Sequence, residues 1–136
     1  MNNLILVEDN PADAALARIA LEPYLTHVQL THCRDGNELL ELLATDRPAS
    51  ISAILLDLNM PRMNGFEVLR HCYADPELRH LPIIVFSSST SHDDVQRCYD
   101  LGANAYVAKP MDMATYDSVM RNIVRFWVEL NLGVAF

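Results

Sequence analysis

Side chains that could take part in a reaction stand at the ends of four short apolar runs of this 136-residue sequence. Glu8 and Asp9 follow the first run, Asp57 and Ser87 end later ones, and Lys109 follows the last. Carboxylates brought together repel one another unless a cation is bound between them, and a set of hard oxygen ligands favours Mg²⁺. Lysine adds a compact positive charge that suits a phosphoryl oxygen, and a serine hydroxyl can donate to another. The set is suited to in-line phosphoryl transfer onto a carboxylate.

These runs predict the strands that must position the side chains. Several are almost continuously apolar, as in strands that are covered on both faces. The predicted strands are Leu4–Val7, Val28–Cys33, Ile54–Leu56, Ile83–Phe86 and Ala105–Ala108.

Helix signals separate the strands. Asn10, followed by Pro11, is typical of a helix start, and Asp35 and Ser91 each precede an acid by three residues, close to a capping box. Gly102 is placed to end the fourth helix, and a fifth helix is predicted from about Asp112 to beyond Phe126.

Five strand–helix repeats in this length predict an α/β fold with a doubly wound parallel sheet of order 2-1-3-4-5. In such sheets ligands bind beyond the carboxyl ends of the strands. The four groups of side chains are therefore expected at one edge of the sheet.

Composition narrows the classes of function. The formal net charge is −8, from 18 acids and 10 bases, which disfavours binding to nucleic acid or anionic membranes. The three cysteines are scattered, so neither a disulfide framework nor a zinc site is indicated, and neither a signal peptide nor an apolar run of membrane-spanning length is found. We expect a cytoplasmic protein.

Four segments carry a resemblance to a known family. LVEDN, LLDLNMPRMNG, IIVFSSS and GANAYVAKP resemble, in order and spacing, the signature segments of response-regulator receiver domains, and the resemblance covers essentially the whole chain. It implies a flavodoxin-like (βα)5 fold and a domain at 1–128, followed by an apolar tail at 129–136. It also implies that the chain catalyses only its own Mg²⁺-dependent phosphorylation and dephosphorylation, and signals by protein contact.

The same resemblance implies roles for the acidic residues. Asp57 corresponds to the aspartate that accepts the phosphoryl group from a histidine kinase. Asp9 would bind Mg²⁺ directly and Glu8 through water, and the main-chain carbonyl of Asn59 would complete the protein ligands. Asn59 and Ser89 lie where the family tunes hydrolysis of the phosphoaspartate.

It implies roles on the last two strands as well. Lys109 would contact the phosphoryl group, and the bond between Lys109 and Pro110 would be cis. Ser87 and Tyr106 would form the switch, with Ser87 turning toward the phosphate and Tyr106 rotating inward behind it.

Details of the chain resemble the small response regulators that are paired with bacterial and cyanobacterial phytochromes. These details are LLDLNMP, the insert around DPELRHLP, the loop SSSTSHDDV and the closing Phe126–Trp127 pair. The apolar tail, which includes Leu132, Val134 and Phe136, is expected to be covered, either by a second copy in a homodimer through the fifth helix or by its own domain.

Other functions fit less well. A phosphatase of the haloacid-dehalogenase type needs a second aspartate where Asn59 stands, and a flavodoxin would not present carboxylates where FMN needs donors. Two alternative functions stay open: the chain is an intermediate in a phosphorelay, or it is an adaptor that never takes phosphate.

Overall fold

The computed structural model describes residues 2–133. Its strands are β1 (Asn2–Val7), β2 (Val28–Cys33), β3 (Ile51–Leu56), β4 (Ile83–Ser87) and β5 (Ala105–Ala108). Its α-helices are α1 (Pro11–Leu21), α2 (Gly36–Thr45), α3 (Gly65–Ala74), α4 (His92–Asp100) and α5 (Met113–Ile123). A short 3-10 helix, Glu22–Tyr24, follows α1, and a π-helix, Val124–Leu130, follows α5.

The strands form one parallel sheet in the order β2-β1-β3-β4-β5, which confirms the predicted fold. β1 and β3 begin earlier than predicted because Asn2 and Asn3 in β1, and Ser52 in β3, are polar and interrupt the apolar runs. Among them, Asn3 donates from its main-chain nitrogen to the Ser50 carbonyl at 2.8 Å. The carboxyl ends of β1, β2, β3 and β5 lie where the sequence predicted them, and β4 includes Ser87.

Alternate residues of the central strands pack on opposite faces of the sheet. Ile54 and Leu56 belong to the core cluster that includes α2 and α3, whereas Leu55 belongs to the cluster that includes α1 and α5. Both faces are therefore covered, as the continuous apolar runs predicted.

The predicted caps are present. The side chains of Asn10, Asp35, Ser91 and Asp112 each accept from a main-chain nitrogen in the first turn of α1, α2, α4 and α5. Gly102 follows α4 with φ of +96°, a conformation that glycine adopts without a steric penalty.

The helix α5 ends at Ile123, and the chain continues as the π-helix, in which neighbouring side chains differ in burial. Trp127 and Val128 pack against the core on the α1/α5 side, whereas Phe126 stays half exposed. Within the predicted tail, Leu132 is almost fully exposed and Gly133 lines a cavity of about 550 Å³ beside Trp127. Val134 and Phe136 lie outside the described residues.

The three cysteines are buried, and burial raises the pKa of each thiol to about 11. They are therefore protonated at neutral pH and pack as apolar side chains. Over residues 2–133, no helix has the length and apolarity required to cross a membrane.

Candidate functional site

Acidic side chains and one lysine meet at the carboxyl edge of the sheet. Carboxylate oxygens of Glu8, Asp9 and Asp57 lie within 4.8 Å of one another. Lys109 Nζ donates to Glu8 Oε1 at 2.6 Å and lies 3.5 Å from Asp57 Oδ1. The predicted group is thus brought together from β1, β3 and β5.

Main-chain hydrogen bonds between strands hold these residues in register. The nitrogen of Glu8 donates to the Cys33 carbonyl at 3.0 Å, and that of Asp57 donates to the Val7 carbonyl at 3.1 Å. The nitrogen of Lys109 donates to the Ser87 carbonyl at 2.8 Å. The parallel pairing therefore extends just past the strands, to the residues that carry the charges.

The imidazole of His32, near the end of β2, makes a further contact with the acidic pair. His32 Nε2 lies 2.8 Å from the main-chain oxygen of Glu8. A carbonyl only accepts, so this ring nitrogen carries the proton. Both main-chain groups of Glu8 are thereby bonded to the end of β2.

The loop after β3 crosses close behind Asp57 because Gly65 has no side chain. A Cβ on Gly65 would lie 2.7 Å from the main-chain oxygen of Asp57 and 2.8 Å from Leu58 Cα. The nitrogen of Gly65 also donates to the Leu58 carbonyl at 3.0 Å. Asn64 caps α3 by accepting from Glu67.

Burial and charge perturb the ionisation of Asp57 and Lys109. Burial, with the nearby charge of Glu8, raises the pKa of Asp57 to about 7, and Lys109 offsets only part of this effect. Burial alone would lower the pKa of Lys109, but the bond to Glu8 and the charge of Asp57 outweigh it, so that pKa is raised. The lysine is therefore cationic, and the cluster holds more negative charge than it can neutralise.

This excess charge fits a divalent cation. Three carboxylates, two of them buried, converge on one point, and one ammonium group balances only one of them. A hard cation with oxygen ligands would remove the repulsion. Asn59, two residues after Asp57, is exposed at the start of the loop, and its role as a carbonyl ligand stays a prediction.

The predicted switch residues lie on the neighbouring strands. Ser87 is fully buried, and its Oγ accepts from the nitrogen of Ser89 at 3.3 Å. The hydroxyl of Tyr106 donates to the main-chain oxygen of Ser89 at 2.8 Å. Ser89 Oγ in turn donates to Asp94 on α4 at 2.6 Å. The loop between β4 and α4 thus connects these residues through side-chain bonds.

The prediction of a cis peptide bond before Pro110 is wrong. Among residues 2–133 no peptide bond is cis, so the bond between Lys109 and Pro110 is trans. The trans form is favoured by about 0.5–1 kcal/mol even before proline, and it is the commoner isomer in folded proteins.

Three contacts at the site were not predicted from the sequence. The bond from His32 to Glu8 and the close approach of Gly65 to Asp57 depend on packing between separate elements. Asp13, an acid in the first turn of α1, lies 3.5 Å from Lys109 Nζ. For Gly65, its place at the end of LLDLNMPRMNG was a usable signal.

The chain belongs to the response-regulator family, because the model described as "Response regulator receiver domain" matches residues 4–121. The response regulator Rcp1 of Synechocystis sp. is 32% identical over 133 aligned positions, covering 93% of this chain and 88% of Rcp1. Receiver domains interact with histidine kinases and bind a divalent metal in an acidic pocket.

Solved structures of relatives have the same fold. The phosphorylated cyanobacterial phytochrome response regulator RcpA has a TM-score of 0.90 and 32% identity, covering 98% of both chains. The Mn²⁺-bound form of Rcp1 has a TM-score of 0.88 and 31% identity, covering 98% of this chain and 99% of that one.

Proposed function

We propose that this receiver domain accepts a phosphoryl group on Asp57 from a histidine kinase and signals through protein contacts. The observation that carries the proposal is the position of Asp57, buried directly after β3, 3.5 Å from Lys109 Nζ and within 4.8 Å of the carboxylates of Glu8 and Asp9. Asp57 has the nucleophile's place in this arrangement, because its carboxylate lies beside both the cation that would meet the phosphoryl group and the acids that would hold a metal.

Mg²⁺ is the cation that we assign to the acidic cluster. Asp9 and Asp57 would bind it directly, Glu8 through water, and Asn59 through its carbonyl, and the ion would neutralise charge on the phosphoryl oxygens. The Mn²⁺-bound state of Rcp1 supports a divalent ion here. Manganese and magnesium both accept octahedral oxygen ligands.

Lys109, Ser87 and Tyr106 have the remaining roles. Lys109 would turn from Glu8 to an oxygen of the phosphoryl group, and Ser87 Oγ would exchange its present bond to Ser89 for another oxygen. Tyr106, bonded to the Ser89 carbonyl, would follow the loop and transmit the change to α4 and β5. Ser89 and Asn59 would set the rate of hydrolysis.

We infer that the kinase is a phytochrome. The support for this is RcpA, a cyanobacterial phytochrome response regulator that is 32% identical to this chain and covers 98% of it. The reaction would take place in the cytoplasm. A role as a phosphorelay intermediate uses the same chemistry at Asp57 and differs only in the next acceptor. An adaptor that never takes phosphate would leave the paired Lys109 and Asp57 without a use.

A homodimer through α5 and the tail is the oligomer that we propose. Phe126 and Leu130 are half or more exposed on the π-helix, and Leu132 is almost fully exposed beyond it. Three large apolar side chains near one end of the chain provide a surface that a two-fold partner could cover.

The test of phosphorylation is incubation with phosphoramidate or acetyl phosphate, with and without Mg²⁺, followed by intact-mass measurement. The wild-type protein and the Asp117→Asn variant, whose change is exposed on α5, should each gain one phosphoryl group only when Mg²⁺ is present. The Asp57→Asn variant should gain none.

Two results would count against the proposal. Stoichiometric phosphorylation of Asp57→Asn would move the acceptor to another residue. Absence of phosphorylation in the wild-type protein, beside a receiver domain that is phosphorylated under the same conditions, would favour the adaptor.

A further inference from the structure

Asp13 lies at the outer side of the phosphorylation site, in the first turn of α1. Its Oδ2 is 3.5 Å from Lys109 Nζ, and its side chain is 47% exposed, against 4% for Glu8 and 9% for Asp57. It is thus the outermost of the three carboxylates that surround the lysine.

A role in capping the helix does not explain where this carboxylate points. An acid at the third helical position often reaches back to the main-chain nitrogen of the cap residue. Here the nitrogen of Asn10 donates instead to Glu8 Oε2 at 3.3 Å, while Asn10 Oδ1 accepts from the nitrogen of Asp13 at 3.0 Å. The cap therefore fixes the main chain of Asp13 and leaves its carboxylate to face Lys109.

Lys109 has three N–H donors and three carboxylates around it. Glu8 takes the shortest contact, at 2.6 Å, and Asp57 and Asp13 each lie at 3.5 Å on the inner and outer sides. A lysine that serves a phosphoryl group on Asp57 must move inward, away from Asp13. The attraction of Asp13 opposes that movement.

We propose that Asp13 is a positioning residue that holds Lys109 toward the outside of the site and so limits the rate of phosphorylation. The inference rests on the proposed function of Asp57. It predicts that loss of the charge at Asp13 releases Lys109 and speeds the reaction. Half-exposed ion pairs are weak, so the expected increase is about two- to fivefold.

The experiment measures the initial rate of phosphorylation by phosphoramidate at saturating Mg²⁺. Asp13→Asn should be about two- to fivefold faster than the wild type, and Asp13→Glu, which keeps the charge, should be close to it. Asp93→Asn, the same change in the exposed first turn of α4, is the matched control and should not change the rate. Circular dichroism verifies that each variant is folded.

A double-mutant cycle with Lys109→Gln separates an effect through the lysine from simple repulsion of the anionic donor. If Asp13 acts through Lys109, Asp13→Asn has no effect in the Lys109→Gln background. An equal increase in both backgrounds would overturn the inference, as would an Asp13→Asn variant that is no faster than the wild type. A wild-type protein that takes no phosphate contradicts the proposed function itself.

Discussion

Replacement of Asp57 by asparagine should stabilise the protein at alkaline pH in the absence of divalent cations. The folded state raises the pKa of Asp57 from 3.8 to about 7, so it binds a proton more tightly than the unfolded chain does. As the pH rises from about 4 to about 7, the folded protein must give up this proton and stability falls, and above pH 7 the loss is complete.

The size of the effect follows from the same values. A tenfold change in a proton-binding constant is about 1.4 kcal/mol, so a pKa of about 7 in place of 3.8 corresponds to about 4 kcal/mol at pH 8. Asparagine removes this cost, but Lys109 loses one of its carboxylate partners. We therefore expect a net gain of about 2–4 kcal/mol at pH 8 that falls to less than about half at pH 5.

Urea unfolding in EDTA, followed by circular dichroism at pH 8 and pH 5, measures this gain. The Asp117→Asn variant should lie within about 0.5 kcal/mol of the wild type at both values of pH. Added Mg²⁺ should narrow the difference between Asp57→Asn and the wild type, because the ion stabilises the wild-type cluster. The reasoning is refuted if Asp57→Asn is no more stable at pH 8, or if its gain is equal at both values of pH.

Two further pairs of substitutions test the packing around the site and of the π-helix by the same unfolding assay. Gly65→Ala places a Cβ 2.7 Å from the main-chain oxygen of Asp57 and should lower stability by about 1–3 kcal/mol; Gly133→Ala meets open space and should change nothing. Trp127→Ala should cost about 2 kcal/mol, since the indole packs on the core of its own chain. Phe126 is half exposed, so Phe126→Ala should be nearly neutral at a protein concentration low enough to keep the chain monomeric. Equal losses within either pair would contradict the packing described above.

The sequence was sufficient to predict the sheet and the meeting of Asp57, Lys109 and the acidic pair at its carboxyl edge. A strand covered on both faces is apolar until it emerges at an edge, so the first polar residue marks its end. Asp57 after β3 and Lys109 after β5 were found in this way, and the strand order then placed them together. Helix caps such as Asn10 were equally local signals.

Contacts between distant elements could not be predicted in this way. The bond from His32 to Glu8 depends on the register of β1 with β2, and the contact of Asp13 with Lys109 depends on where the fold brings the start of α1 relative to the residue after β5. The π-helix that turns Trp127 into the core follows α5 without a breaking residue, so no local signal separates the two.

The two bonds that join the main chain of Glu8 to β2 divide the site into a rigid half and an adjustable half. On the rigid side, the nitrogen of Glu8 is bonded to Cys33 and its oxygen to His32. On the other side, Ser89 is linked to Tyr106 and α4 through rotatable side chains. We therefore expect a rearrangement on phosphorylation to be directed toward β4, α4 and β5, and the main chain of Glu8 to stay in place.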